Sequence, residues 1–173
     1  ALAEELKALS VSNLEDVAEA EHIIMALPTE NIPQVASELG RVLSLRNILI
    51  NIATTLPRIE VERAVPQGVH VVSAKLVGHA VEMRNGDKPI IAVDGINEMS
   101  VIKVMELFQS LGRVVQAPEE YVSRLNQIAS AEGIRAAVRI KKAMEEENLP
   151  MEWCETAVRL VAAGTMKAFS SVS

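Results

Sequence analysis

The chain has 173 residues, 49% of them hydrophobic, so it can bury a core in one domain or in one domain with a smaller second one. A net charge of −6 and an aromatic content of 2% disfavour a nucleic-acid partner, which would need basic groups and stacking platforms. Cys154 is the single cysteine; it excludes an intramolecular disulfide and favours a reducing, cytoplasmic location. The single cysteine and the three scattered histidines do not form a spacing pattern typical of metal ligands. No apolar run approaches the ~20 residues that span a bilayer, so we predict no membrane partner.

The first strong pattern is a strand that ends at a proline. Residues 23–27 are apolar without alternation, which predicts a strand covered on both faces, as in a parallel sheet. Pro28 cannot donate a backbone hydrogen bond and ends the strand. Ligands of open α/β sheets bind beyond the carboxyl ends of such strands, so the first candidates for ligand contact are Ala26, Leu27, Pro28 and Thr29.

Helices and strands alternate along the first two thirds of the chain. A helix is predicted over residues 1–9, and a capping box from Ser12 to Glu15 predicts a second short helix. Strands are predicted at residues 22–27, 47–53, 69–74, 90–94 and 113–116, with helices between them. We expect a mostly parallel sheet with helices packed over it. For residues 90–94 an antiparallel edge position is the alternative, because only a short polar turn precedes them.

After Pro118 the pattern becomes helical. Residues 119–147 predict one long helix and residues 151–169 a second, so we place domains at 1–117 and 118–173. The second helix carries an apolar stripe that two helices alone cannot cover, and we expect a homodimer whose interface lies within residues 119–169. The stripe consists of Trp153, Ala157, Leu160, Val161 and Gly164.

Three segments carry a resemblance to a known family: Ala26-Leu27-Pro28 after the first strand, Ala53-Thr54 after the second, and Pro118-Glu119-Glu120 before the long helices. Their order resembles the pyrroline-5-carboxylate reductases and the deazaflavin-dependent NADP reductases. The resemblance implies an α/β fold with a partial Rossmann-type, doubly wound sheet, followed by a helical dimerisation domain. It also implies NADP or NAD as cofactor and reduction of a C=N or C=O bond in a small acidic substrate. The strand with a Gly-x-Gly-x-x-Gly loop that begins the family pattern is absent from this sequence.

The resemblance also suggests roles for individual residues. Ala26, Leu27 and Pro28 match the segment beside the nicotinamide ribose, and Ala53 and Thr54 match the next strand end, which faces the nicotinamide.

In the helical part, Ser130 and Gly133 match a run that binds the substrate carboxylate. Ser130 has no His/Asp arrangement around it in sequence, so nucleophilic catalysis has no support.

Lys75 and His79 are the candidate catalytic pair, with Ser130 as the third candidate. If a helix begins after the third strand, their i,i+4 spacing places them on one face, where the lysine would orient a carboxylate and the histidine would transfer a proton. The alternative is two solvated polar residues in a loop.

Two functional hypotheses follow. The first is an NAD(P)-dependent oxidoreductase acting on a small-molecule substrate. The second is a non-catalytic dimeric scaffold, or a truncated fragment, that has lost cofactor binding. A glycine-rich unit encoded upstream of Ala1 in the parent reading frame would favour the first, and a native start near Ala1 the second. We expect the chain as given to bind NADP(H) weakly or not at all.

Overall fold

The computed structural model describes residues 2–170, which contain a five-stranded sheet in the order β1-β2-β3-β4-β5. The strands are β1 (His22–Met25), β2 (Ile48–Asn51), β3 (His70–Val77), β4 (Ile90–Gly95) and β5 (Arg113–Gln116). The first three strands are parallel, β4 is antiparallel to β3, and β5 is parallel to β4. The predicted mostly parallel α/β sheet is therefore confirmed.

The register of the first three strands explains where the sheet edge lies. His22, Ile48 and His70 are aligned at the amino ends, and Met25 and Asn51 are aligned at the carboxyl ends of β1 and β2. Strand β3 continues to Val77, beyond the level at which β2 ends. The last residues of β3 therefore lie beside the loop that leaves β2.

The chain forms two compact units, residues 1–126 and residues 127–173. The helices of the first unit are α1 (Leu2–Glu5), α2 (Leu14–Ala18), α3 (Ile32–Leu39), α4 (Arg58–Glu62), α5 (Ala80–Arg84) and α6 (Glu98–Phe108). Helix α7 (Glu119–Glu146) begins in the first unit and continues in the second. The second unit also contains a 3-10 turn (Met151–Trp153), α8 (Cys154–Thr156), a π-helical segment (Ala157–Ala162) and α9 (Ala163–Ser170).

Two apolar clusters cover the two faces of the sheet. Ile48 and Ile50 of β2 pack with α6, while Leu49 between them packs with α3 and α4. Strand β2 is therefore buried on both faces. Strand β1 differs, because Ile24 is 46% exposed; the prediction that β1 is covered on both faces was wrong. Strand β1 pairs with β2 alone among the described strands, and α6 packs over β3, β4 and β5.

Three local predictions need correction. Helix α2 is capped by Asn13, whose side-chain oxygen accepts the N–H of Asp16 at 2.8 Å, and not by Ser12. Strand β4 is antiparallel but internal, because β5 pairs with its other edge. The first helix ends at Glu5, well before residue 9.

The second unit exposes many large apolar side chains. Trp153, Leu160 and Val161 of the predicted stripe are each more than 60% exposed. The part of the chain that the structure describes has no helix that is both long enough and apolar enough to cross a membrane.

Candidate functional site

The candidate site lies at the carboxyl ends of β1 and β2, in the first unit. Strand β1 ends at Met25, and Ala26, Leu27 and Pro28 follow as an exposed segment. Thr29 begins a 3-10 turn that leads into α3. The four residues predicted from the strand end therefore form the β1–α3 loop at the carboxyl edge of the sheet.

The β2–α4 loop, residues 52–57, is the second part of the site. It contains the predicted residues Ala53 and Thr54, both partly buried. Asn51, the fully buried last residue of β2, holds the loop at both ends: its Nδ2 donates to the Leu56 carbonyl at 2.9 Å, and its Oδ1 accepts the Ala53 N–H at 3.1 Å. The loop is thus folded back onto the strand that precedes it.

The two loops meet through a pair of hydroxyl groups. Thr29 Oγ1 lies 3.4 Å from Thr55 Oγ1. The two segments predicted separately from the sequence are therefore neighbours, as expected for adjacent parallel strands that end at the same level.

Lys75 is buried in β3 with 1% of its side chain exposed. Its Nζ donates to the carbonyl of Ala53 and, at 2.9 Å, to that of Leu56, and it lies 3.6 Å from Glu119 Oε2. Burial lowers the pKa of Lys75, and the negative charge of Glu119 partly opposes this effect. The ammonium group thus donates to two backbone carbonyls and forms an ion pair with a third group, the carboxylate of Glu119.

Lys75 and His79 do not share a helix face, so that geometric prediction was wrong. Lys75 lies inside β3, which continues to Val77, and His79 is the exposed N-cap of α5. The Nδ1 of His79 faces the N–H of Val81 at 3.4 Å. Ser130 lies on the part of α7 that belongs to the second unit, and its side chain is exposed.

The first turns of α7 complete the site, and the sequence reasoning missed their contribution. Glu119 Oε1 accepts the N–H of Arg58, the first residue of α4, at 2.6 Å. Ser123 Oγ donates to the Thr54 carbonyl at 2.7 Å. The signal in the sequence was the Pro118-Glu119 start of a long helix, since acidic residues favour helix N-termini.

A cleft of about 330 Å³ opens between the β2–α4 loop and the start of α7. Its lining combines two threonine hydroxyls with acidic and basic side chains, and consists of Thr54, Thr55, Leu56, Pro57, Glu119, Glu120, Ser123 and Arg124. This composition suits a polar ligand with an apolar flank.

A larger cleft of about 510 Å³ lies at the opposite, amino edge of the sheet. Its charged side chains pair with each other: Arg46 contacts Glu19 at 3.1 Å, and Lys103 contacts Glu21. The hydrogen bond from Lys103 lowers the pKa of Glu21. These groups are satisfied within the protein, which leaves the carboxyl edge as the better candidate.

A metal ion or a dinucleotide needs particular groups in a protein: several ligating side chains for the first, and a loop that holds the phosphates for the second. Among residues 2–170 no cluster of three or more His, Cys, Asp or Glu side chains could hold a metal ion. Ala26 and Ala53, at the carboxyl edge of the sheet, carry only methyl side chains. A Gly-x-Gly-x-x-Gly loop, which would hold the pyrophosphate of a dinucleotide, is absent from the sequence as given.

No protein-family model matches the sequence, and no curated protein is similar to it in sequence. The fold, in contrast, is similar to solved structures. A pyrroline-5-carboxylate reductase from Coxiella burnetii superposes with a TM-score of 0.70 and 14% identity, over 95% of this chain and 63% of that one. A pyrroline carboxylate reductase from Plasmodium falciparum with NADP bound gives a TM-score of 0.65 and 16% identity, over 91% and 61%.

A semialdehyde dehydrogenase NAD-binding protein from Cupriavidus necator, in complex with calcium and NAD, gives a TM-score of 0.65 and 15% identity, over 98% of this chain and 68% of that one. These similarities establish the fold class: a Rossmann-type sheet, as in NAD(P) oxidoreductases, followed by a helical region. The chain spans less than two thirds of the length of the two reductases.

Proposed function

We propose that the protein is an NAD(P)-dependent oxidoreductase that reduces a C=N or C=O bond of a small acidic substrate. The observation that carries the proposal is the meeting of the β1–α3 and β2–α4 loops at the carboxyl edge of a Rossmann-type sheet, through Thr29 and Thr55. Ligands of open α/β sheets bind at this edge. The similar structures from Plasmodium falciparum and Cupriavidus necator contain NADP and NAD, respectively.

The nicotinamide end of NADP or NAD would lie against the two loops. Its contacts would come from Ala26, Leu27, Pro28 and Thr29 of the first loop and from Ala53 and Thr54 of the second. A bound cofactor supplies the hydride. The protein's part is to orient the ring and exclude water, which needs a fixed loop more than a reactive side chain.

Three polar residues are proposed to act on the substrate: His79, Ser130 and Lys75. In the first unit, His79, exposed and next to the end of β3, would exchange a proton with the reduced atom. For Ser130, which belongs to the second unit, the resemblance implies binding of a substrate carboxylate. For Lys75 we retain a contribution to catalysis, but its burial makes that contribution indirect. The single cysteine, Cys154, is consistent with a cytoplasmic setting.

We also propose a homodimer through the helices that follow Pro118. In the second unit, apolar side chains that are at least 44% exposed occur on α7 and along the rest of the helical region: Ile128, Ile134, Val138, Leu149, Trp153, Leu160, Val161, Met166 and Phe169. A soluble monomer rarely exposes so much apolar surface in one short region. A second copy of the chain would cover it.

Two tryptophan substitutions on either side of β1 test the cofactor site. Ala26→Trp fills the space beyond the carboxyl end of the strand, and Ala20→Trp adds the same bulk before its amino end; both alanines are exposed. We expect saturation-transfer NMR signals from NADP⁺ or NAD⁺ with the unmodified protein and with the Ala20 variant, and their loss with the Ala26 variant. Equal signals from both variants would place the cofactor elsewhere.

A non-catalytic dimeric scaffold is the second candidate. The observation that favours it is that the sequence as given contains no glycine-rich loop, since most pyrophosphate contacts of a dinucleotide come from such a loop. A scaffold would form the dimer but give no saturation-transfer signal with either nucleotide at millimolar concentration. The oxidoreductase gives both.

A further inference from the structure

We infer that Lys75 is a positioning residue that fixes the β2–α4 loop in the shape that receives the cofactor. The inference rests on the proposed function for its consequence, the binding of the cofactor. Its structural part, the ordering of the loop by a buried ammonium group, can be tested without any ligand.

The backbone of the loop is held by side chains from outside it. The carbonyls of Ala53 and Leu56 accept hydrogen bonds from Lys75 Nζ, and the carbonyl of Thr54 accepts one from Ser123 Oγ. Asn51 adds a second donor to Leu56. Because Ala53 and Thr54 are the proposed contacts of the nicotinamide, Lys75 acts on the site itself while remaining buried.

Glu119 links this arrangement to helix α7. One carboxylate oxygen lies 3.6 Å from Lys75 Nζ, and the other accepts the N–H of Arg58 at the start of α4. The backbone N–H of Glu119 faces Asp94 Oδ2 at 3.3 Å, which ties the helix start to β4. Lys75 and Glu119 together therefore hold both ends of the loop that runs from Ala53 to α4.

The position of Lys75 argues against a merely stabilising role. A buried charge costs desolvation free energy, and replacing a buried ion pair by apolar residues is often neutral or stabilising. At this position an apolar side chain could fill the same space between the sheet and α7, but it could not donate to the Ala53 and Leu56 carbonyls. What the lysine adds is the specified conformation of the loop.

Hydrogen exchange of the amides in residues 52–58 tests the inference. Lys75→Met removes the ammonium group and keeps a stem of similar length. Val72→Ala, in the same strand and 1% exposed, serves as the control that lowers global stability without touching the loop. The double variant Lys75→Met/Glu119→Leu removes both charges and so avoids an unpaired buried carboxylate.

We expect Lys75→Met to speed exchange in the loop by about ten-fold or more relative to the amides of β3 and β4, whereas Val72→Ala speeds loop and strands equally. The double variant should regain global stability over Lys75→Met but keep the fast loop exchange. Recovery of slow loop exchange in the double variant, or equal changes in loop and strands with Lys75→Met, would overturn the inference.

Measurements of NADP⁺ binding by the same variants test the proposed function separately from this inference. Lys75→Met should weaken NADP⁺ binding in parallel with the gain in loop exchange, and Val72→Ala should leave it unchanged at a temperature where both variants are folded. If the unmodified protein binds neither NADP⁺ nor NAD⁺, the proposed function fails while the exchange result still decides the role of Lys75. Normal NADP⁺ affinity in Lys75→Met would refute the positioning role.

Discussion

Leu160 offers the sharpest test of the proposed dimer. Its side chain is 66% exposed on the π-helical segment of the second unit, so about two thirds of its surface is available to a partner. Fully burying a leucine is worth about 1.5–3 kcal/mol, so covering this fraction is worth roughly 1–2 kcal/mol in each subunit. In a two-fold dimer the residue occurs twice, which gives roughly 2–4 kcal/mol for the interface.

Leu160→Asp should therefore weaken the dimer strongly. At about 1.4 kcal/mol per factor of ten, 2–4 kcal/mol corresponds to a roughly 30- to 700-fold higher dissociation constant, and the buried carboxylate raises it further. Sedimentation equilibrium over a concentration series measures this constant. Leu9→Asp is the matched control, because Leu9 is 92% exposed in the first unit and should leave the constant unchanged. A monomeric unmodified chain, or equal dissociation constants for the two variants, would refute the proposed dimer.

Three further predictions concern stability. Asn47→Leu should lower the free energy of unfolding by about 3–5 kcal/mol in urea melts. The fully buried Asn47 side chain donates to two backbone carbonyls and accepts from the N–H and the hydroxyl of one serine. A change below about 1 kcal/mol would contradict this prediction. Gly112→Ala should destabilise, since its Cβ would lie 2.2 Å from the Pro89 carbonyl oxygen, whereas Gly133→Ala, in open space within α7, should stabilise by up to about 1 kcal/mol; calorimetry that ranks them oppositely would refute the packing argument. Burial lowers the pKa of Lys75 from its ordinary 10.5. Between the lowered pKa and 10.5 the unfolded chain binds more protons than the folded one, so the contribution of Lys75 to stability rises with pH. This contribution is lost as the pH falls through the lowered pKa. In urea melts at increasing alkaline pH, the free energy of unfolding of the unmodified protein should therefore rise relative to that of Lys75→Met. A difference between the two free energies that does not change with pH would contradict the lowered pKa of Lys75.

The sheet was predictable because its strands are short apolar runs bounded by prolines, glycines and polar turns. Strands β1, β2 and β3 were located from such runs, and their common direction followed from the alternation with helices. The exposure of Ile24 was not predictable, since an apolar run shows that a strand can be buried on both faces but not that an element covers each face.

The cap of α2 shows a limit of local reasoning. Ser12 and Asn13 are both residue types that cap helices, so composition alone does not choose between them. The choice is made by the backbone, which is extended at Asn13 and brings its side chain to the N–H of Asp16.

The positions of the two loops of the candidate site were predictable from the sequence, but the side chains that hold the β2–α4 loop were not. Ala26 to Thr29 and Ala53 to Thr54 follow from where strands end. Lys75 was expected on a helix face or, as the alternative, in a solvated loop, and it lies in neither. Its burial depends on carbonyls about twenty residues earlier in the chain and on Glu119, contacts between distant segments that no local pattern encodes.

The proposed nicotinamide site lies at the carboxyl ends of β1 and β2. Titration of the isotope-labelled protein with NADP⁺ or NAD⁺, followed by backbone amide shifts, tests it most directly. We expect shifts confined to residues 26, 27, 29 and 53–55, without saturation at micromolar concentration because the sequence lacks a glycine-rich loop. Shifts that cluster instead around the amino-edge cleft near His70 and Lys103, or no shifts at millimolar nucleotide, would contradict it.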